Sequence, residues 1–170
     1  IPLQPPPPHL ITGHAMEYSI VKLVHLLGVI LFLGNIIVSA LWKAQADITK
    51  DPVIIAFACR LVNMTDLVFT AFGAVLVTVG GIGLFHATGI AISDAPHLTI
   101  GISLFAMAAV LWLVGLVPLQ LYMSKISAKT VAAGETQMPA IYAKCRKLWA
   151  LLGLVATALP LGALYFMVVR

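Results

Sequence analysis

Four long apolar stretches constrain the fold of this chain more than any other feature of its sequence. They are residues 18–42, 67–90, 98–123 and 148–169. A helix rises 1.5 Å per residue, so about 20 residues suffice to cross a hydrocarbon core of about 30 Å. We therefore predict an all-α polytopic membrane protein, in which residues 18–170 form a bundle of four transmembrane helices.

The composition supports the same conclusion. Only 9% of the residues are charged and 61% are hydrophobic, whereas charged residues make up about 25% of a soluble domain. A surface this apolar is unsuited to water, so membrane lipids are the expected surroundings of the bundle.

Basic residues are distributed unequally between the two sides of the predicted bundle. Four crossings place both termini and the 91–97 turn on one side, and the 43–66 and 124–147 loops on the other. The loop side carries Lys43, Lys50, Arg60, Lys125, Lys129, Lys144, Arg146 and Lys147. The terminal side carries Lys22 and Arg170. The positive-inside rule then predicts cytoplasmic loops and periplasmic termini in a bacterial inner membrane. The net charge of +4 reflects this asymmetry, so no nucleic-acid partner is expected.

Two segments lie outside the predicted spans. Residues 1–17 include four consecutive prolines, which predict an extended polyproline II arm that can dock on a larger membrane complex. Asp51 and Pro52 suit the N-cap and first position of a short interfacial helix at about 52–63. That helix either continues straight into the second transmembrane helix or breaks at Asn63–Asp66.

All five histidines fall on the predicted outer side. His25 lies about 10 Å inside helix 1, His86 is one turn before the outer end of helix 2, and His97 begins helix 3. His9 and His14 belong to the N-terminal arm. Ionisable residues inside a membrane usually mark a functional site.

Three of these histidines are each accompanied by a glycine one turn deeper on the same helix face. The pairs are His25 with Gly28, His86 with Gly83, and His97 with Gly101. Histidines above bare glycine backbone predict a slot for haem b, which takes imidazole as an axial ligand. His25 is the first predicted ligand, His86 the second and His97 its alternate. Lys22 either contacts a haem propionate or extends to the membrane surface.

Other interpretations of the same residues stay open. His25 can instead form an interhelical hydrogen bond, and His86 and His97 can simply face water. Asn35 is expected to form an interhelical hydrogen bond in helix 1. Asp66 is expected to cap helix 2 or to pair with a loop lysine.

Two motifs carry a resemblance to known membrane proteins. Helix 1 has the form Lys22-x-x-His25-x-x-Gly28, followed by Gly34-Asn35 and Trp42, and "WLVGLVPLQ" occupies residues 112–120. Both resemble an uncharacterised family of small bacterial four-helix membrane proteins. Helix 1 is also similar to the first helix of HemJ-type protoporphyrinogen oxidases, whose helix 1 histidine is a haem ligand, and of CopD-type copper-resistance proteins. The resemblance implies that His25 is the equivalent ligand. A further HemJ-type helix has no match here, so haem or metal binding carries over and porphyrinogen oxidation does not.

Three functions are compatible with these patterns, and none assigns a catalytic residue. The first is a b-type haem protein, an accessory electron-transfer subunit of a bacterial membrane redox complex that exchanges electrons with a periplasmic cytochrome. The second is a cofactor-free structural or assembly subunit, held to a larger complex by its proline-rich arm and helix faces. The third is periplasmic copper or zinc handling by His9, His14, His86 and His97, and His25 and His86 are also candidate ligands of a metal. The sequence shows no intramembrane carboxylate pair, which argues against a proton pump or cation antiporter.

Overall fold

The computed structural model describes residues 8–90 and 95–169, with side chains described from Ala15 onward. The helices are α1 (Pro8–Thr49), α2 (Pro52–Thr65), the π-helical segment π1 (Asp66–Ala71), α3 (Phe72–Thr88), α4 (Pro96–Val110), the π-helical segment π2 (Leu111–Leu116), α5 (Val117–Ala132) and α6 (Ala140–Val168). Within these described residues, four helices are long and apolar enough to cross a membrane. The predicted all-α, four-span architecture is confirmed.

Two of the four long helices contain a π-helical turn. The second runs unbroken over Pro52–Thr88 and the third over Pro96–Ala132, each with 37 residues. A helix of that length measures about 55 Å, well beyond a hydrocarbon core of about 30 Å. Of the two alternatives for residues 52–63, the structure has the continuous one, in which α2 leads directly through π1 into α3.

The start of the chain differs from the prediction. Residues 1–7 lie outside the described part of the chain, and α1 begins at Pro8. The extended arm predicted over 1–17 is therefore wrong for residues 8–17, which are helical. Proline is tolerated at the first position of a helix because its missing N–H would have no intrahelical partner there.

The connection from α1 to α2 is a two-residue turn. Lys50 adopts a left-handed conformation with φ of 58°. Asp51 then caps α2, because its Oδ1 accepts a hydrogen bond from the backbone N–H of Val53 at 2.8 Å. Pro52 follows at the first helical position, so the predicted helix start is confirmed.

Neighbouring helices pack as three pairs. α1 runs along α3, α4 packs against α6, and α2 packs against α5.

We call the end of the bundle with the 50–51 and 133–139 connections the loop end, and the end with Ala15, Gly89 and Val168 the terminal end. At the loop end, buried side chains form the apolar cluster Ile55, Cys59, Met123, Tyr142 and Cys145.

Glycines bring α1 and α3 into backbone contact towards the terminal end. A Cβ placed on Gly28 would lie 2.5 Å from the backbone nitrogen of Val77. A Cβ on Gly80 would lie 2.6 Å from the backbone nitrogen of His25. Only glycine permits so close an approach, so this part of the bundle is tightly closed.

Candidate functional site: a buried carboxylate and its polar neighbours

Asp66 is the centre of a buried hydrogen-bond network. It begins π1, and its side chain is 6% exposed. Its Oδ1 accepts hydrogen bonds from Asn35 Nδ2 at 2.9 Å and from Thr70 Oγ1 at 3.1 Å. Its Oδ2 accepts from Gln120 Nε2 at 2.9 Å and from Trp112 Nε1 at 3.3 Å. One carboxylate therefore links the first, second and third long helices.

The π-helical segments help to place two of these groups. Asp66 starts π1 and Trp112 lies in π2. At the end of π2, the backbone N–H of Val117 bonds to the carbonyl of Trp112, five residues earlier. The next residue, Pro118, has no N–H to donate, so a local departure from α-helical bonding is expected just before it. Single π turns within long helices frequently occur at functional sites.

The partners of Asp66 suit an ionised carboxylate. An ionised carboxylate can only accept hydrogen bonds, and all four contacting groups are donors. Within the described residues, no basic side chain forms an ion pair with Asp66. The site thus offers hydrogen bonds to a negative charge without neutralising it.

A small cavity adjoins the carboxylate. Its volume is about 40 Å³, enough for water and far below the roughly 300–1,000 Å³ of a cofactor or drug-sized site. Its lining residues are Phe32, Ile36, Ser39, Ala40, Asp66, Ala108, Trp112, Leu116, Gln120, Trp149, Gly153, Ala156 and Thr157. Asp66 is the one titratable residue in this lining.

A second polar cluster lies closer to the loop end. Lys43 Nζ donates to Asp47 Oδ2 and to Tyr142 Oη, both at 2.7 Å. Tyr142 Oη donates in turn to Asp47 Oδ1 at 2.7 Å. The three residues are 2%, 8% and 3% exposed, so the ion pair is buried. The Lys43 ammonium also lies 5.8 Å from the ring centroid of Trp149.

A second cavity of about 10 Å³ separates the two clusters. Its lining includes Lys43, Cys59, Gln120 and Trp149. Trp149 lines both cavities, and its buried Nε1, like that of Trp42, has no hydrogen-bond partner among the described residues. A buried donor of this kind is normally satisfied by water.

The three histidines whose side chains the structure describes, His25, His86 and His97, do not converge on a common site. His25 is half-buried, and its Nδ1 donates to the carbonyl oxygen of Val77 at 2.8 Å, which is the interhelical hydrogen bond considered as an alternative. His25 packs at the level of Gly80, six residues before His86 along α3, or about 9 Å. His86 is exposed and His97 is half-buried.

The predicted slot beneath these histidines is closed. Gly28 faces the backbone of Val77, a Cβ on Gly83 would meet Val21 at 2.8 Å, and one on Gly101 would meet Met167 at 2.9 Å. The glycines serve helix packing, so a flat cofactor has no space beside them in this arrangement. Haem binding itself stays a prediction.

The remaining predicted site residues fall outside any cluster. Lys22 is exposed, and its Nζ lies 5.7 Å from the ring centroid of Tyr18. The side chains of His9 and His14 lie outside the described residues. Across 15–90 and 95–169, no group of three or more His, Cys, Asp or Glu residues could hold a metal ion.

Asn35 and Asp66, which the sequence analysis treated as minor structural residues, form the centre of the buried network in the structure. The interhelical hydrogen bond predicted for Asn35 is confirmed by its contacts with Asp66 and with Thr70, at 2.9 Å each. The prediction for Asp66 is wrong, because it neither begins the long helix nor pairs with a lysine. An ionisable residue next to an apolar run was the available signal, and the polar Gln120 within helix 3 was another.

Comparison with known proteins places the chain in a family. Neither a curated protein nor a solved structure matches it. A family model does match, over residues 19–170, which include every residue of both polar clusters. The chain therefore belongs to the family described as "Predicted integral membrane protein (DUF2269)".

Proposed function

We propose that this protein is a proton-handling subunit of a bacterial inner membrane, with Asp66 as the group that binds and releases the proton. The observation that carries the proposal is the environment of Asp66: a buried carboxylate with four hydrogen-bond donors, no basic partner among the described residues and a cavity beside it. Ionisable residues facing the interior of a membrane bundle are typical of proton and ion pathways.

Two opposing forces make the site suitable for reversible protonation. The four donors stabilise the carboxylate anion. Burial in a poorly polarisable interior without a counter-charge stabilises the neutral acid. The Lys43–Asp47–Tyr142 cluster forms no hydrogen bond with Asp66, and Lys43 and Cys59 line the second cavity.

Thr70 allows the neutral acid to form without rearrangement of the helices. Its hydroxyl donates to Asp66 Oδ1 at 3.1 Å and accepts from Asn35 at 2.9 Å. If Oδ1 gains a proton, the hydroxyl can rotate to accept that proton and donate instead to the backbone carbonyl four residues earlier. Proton binding at Asp66 then changes one hydroxyl orientation.

The charge count supports an orientation with both termini in the periplasm. In that orientation, Asp66 lies between the middle of the bundle and the cytoplasmic surface. Its partner Asn35 is seven residues from Trp42, at the predicted inner end of helix 1, which corresponds to about 10 Å.

Infrared titration of the protein in lipid tests the proposal. Acidification should produce the C=O stretch of a protonated carboxyl, and Asp66→Asn should remove that band. Asp51→Asn is the matched control, because Asp51 is an exposed N-cap and asparagine caps equally well. If Asp66→Asn removes no band over the pH range in which the protein stays folded, Asp66 is a permanently charged structural group and the proposal is wrong.

A second candidate is haem binding at His25, and one contact favours it. A coordinating histidine usually donates its other ring N–H to a carbonyl or carboxylate, and His25 Nδ1 is engaged with the Val77 carbonyl in this way. Nε2 is then the nitrogen for iron, in keeping with the likeness of helix 1 to HemJ-type and CopD-type proteins. The closed glycine surfaces fit such a group poorly. A Soret band in the purified protein that His25→Ala abolishes would establish this function.

A further inference from the structure

We infer that protons reach Asp66 from the loop end of the bundle, through the Lys43–Asp47–Tyr142 cluster and water in the two small cavities. This inference rests on the proposed function of Asp66 and adds the route and the side of access. Three observations carry it: the buried cluster, the two cavities lined by Asp66 and by Lys43 respectively, and the unpartnered indole N–H of Trp149, a residue that lines both cavities.

The first step of the route is the buried ion pair. Asp47 lies two residues before the end of α1 and contacts Lys43 at 2.7 Å. Lys43 lines the second cavity, and Asp47, one turn nearer to the end of α1, is 8% exposed. Tyr142 bonds to both partners and positions the ammonium group.

The second step crosses the cavities. Gln120 lines both of them and donates to Asp66 Oδ2 at 2.9 Å. Trp149 lines both as well, and a water molecule bonded to its Nε1 would satisfy that donor. A cavity needs about 10–15 Å³ to hold a water molecule, so the cavity of about 40 Å³ has room for water and the cavity of about 10 Å³ is at the lower limit for a single molecule.

Protons and charge balance along this route. The Lys43 ammonium releases a proton to cavity water, and that proton passes to the Asp66 carboxylate, which becomes neutral. Lys43 regains a proton from solvent by way of Asp47. The net change is one proton moved from the loop-end solution to Asp66, with Lys43 and Asp47 restored.

Towards the terminal end, the described residues of α1 and α3 pack too closely for such a path between these two helices. Between Asn35 and His25, α1 meets α3 through Gly28 and Gly73, where a Cβ on either glycine would lie within 3.0 Å of the facing backbone. Water has no room in that interface. Access from the terminal end is therefore expected to be much slower.

Time-resolved infrared spectroscopy of the full chain in liposomes tests the route. The carboxyl band of Asp66 is followed after an acid jump applied to one side of the membrane. The double variant Lys43→Met/Asp47→Leu removes the relay without leaving an unpaired charge. It should slow the loop-end response about 100-fold, the low end of what a positioned proton-transfer group contributes. The final amplitude should stay unchanged.

Two further variants and one direct measurement complete the test. Tyr142→Phe keeps the ring and should also slow the response, whereas Tyr165→Phe, exposed near the terminal end, should not. Magnetisation exchange between water and the Trp149 indole proton should be detectable by NMR in the unmodified protein.

Unchanged rates in both cluster variants, or an equally fast response from the terminal end, would overturn the route while leaving protonation of Asp66 intact. If the Asp66 band never appears, the proposed function fails and the route fails with it.

Discussion

Trp112 Nε1 lies 3.3 Å from Asp66 Oδ2, and each residue belongs to a π-helical turn of its own long helix. The two helices thus depart from α-helical bonding where their side chains meet. A π turn inserts an extra residue and shifts the direction of the side chains that follow it. The pairing of the two turns is the clearest structural sign that this level of the bundle is specialised.

Loss of the central carboxylate should destabilise the bundle. Asp66→Ala removes the acceptor of Gln120 and Trp112 and one of the two acceptors of Asn35, and we expect it to lower the free energy of unfolding by about 2 kcal/mol. Reversible unfolding in mixed micelles measures the change. Glu135→Ala, in the exposed 133–139 connection, serves as the control. Equal stability of the two variants would show that the network contributes little.

Alanine substitutions should distinguish the glycines that lie in backbone contact with a facing helix from the glycines at ordinary helix positions. Gly28→Ala and Gly80→Ala force a Cβ within 2.5–2.6 Å of the facing helix, and overpacking of this kind costs about 1–3 kcal/mol. Gly34 and Gly153 have nothing within 4 Å of the added Cβ, so alanine there should be neutral or slightly stabilising. Similar midpoints of thermal unfolding for all four variants would contradict the close α1–α3 packing.

The Lys43–Asp47 pair should be strongly coupled. Lys43→Met leaves the Asp47 carboxylate buried beside a methyl group and should cost about 3 kcal/mol. Adding Asp47→Leu should recover most of that loss, because a well-packed apolar pair replaces a buried ion pair at little cost. A double-mutant cycle in unfolding free energy measures the coupling, and strictly additive effects would contradict a buried pair.

Labelling can establish the orientation of the bundle. Glu135→Cys lies in the exposed connection at the loop end, and Thr88→Cys lies near the terminal end. A membrane-impermeant maleimide applied to intact bacterial cells should modify Thr88→Cys and spare Glu135→Cys until the membrane is opened. The native Cys59 and Cys145 are buried and should give a low background. The reverse pattern would invert the proposed topology.

Hydropathy was sufficient for the architecture because a bilayer tolerates few alternatives to helices. The residue types of Asp51 and Pro52 correctly predicted the start of α2, since a helix cap is a local feature of the sequence. The sequence could not place Asp66, because an apolar window beginning at residue 67 puts it at the membrane edge. Its contact with Asn35 follows from the register of the second long helix against α1.

The histidine–glycine pairs illustrate a different limit. A glycine one turn below His25 is compatible with a cofactor slot and with close helix contact, and the two have the same spacing. Whether the glycine forms a cofactor slot or a helix contact depends on whether the backbone of the facing helix lies directly opposite it, as that of Val77 lies opposite Gly28. The fixed partner of His25 is likewise a backbone carbonyl on another helix, which carries no side-chain signature.

The contact of α1 with α3 through Gly28 and Gly73 should also influence how a transmembrane voltage acts on the protein. A dry, closely packed region polarises little, so most of the voltage should fall across it, and a water-containing region should carry little of the drop. A charge at Asp66 would then sit close to the electrical potential of the loop-end solution. Moving one charge across the glycine-packed region would involve most of the roughly 2.3 kcal/mol that each 100 mV supplies. Close packing at the glycines would thus concentrate the transmembrane voltage in the part of the bundle between Asp66 and the terminal end.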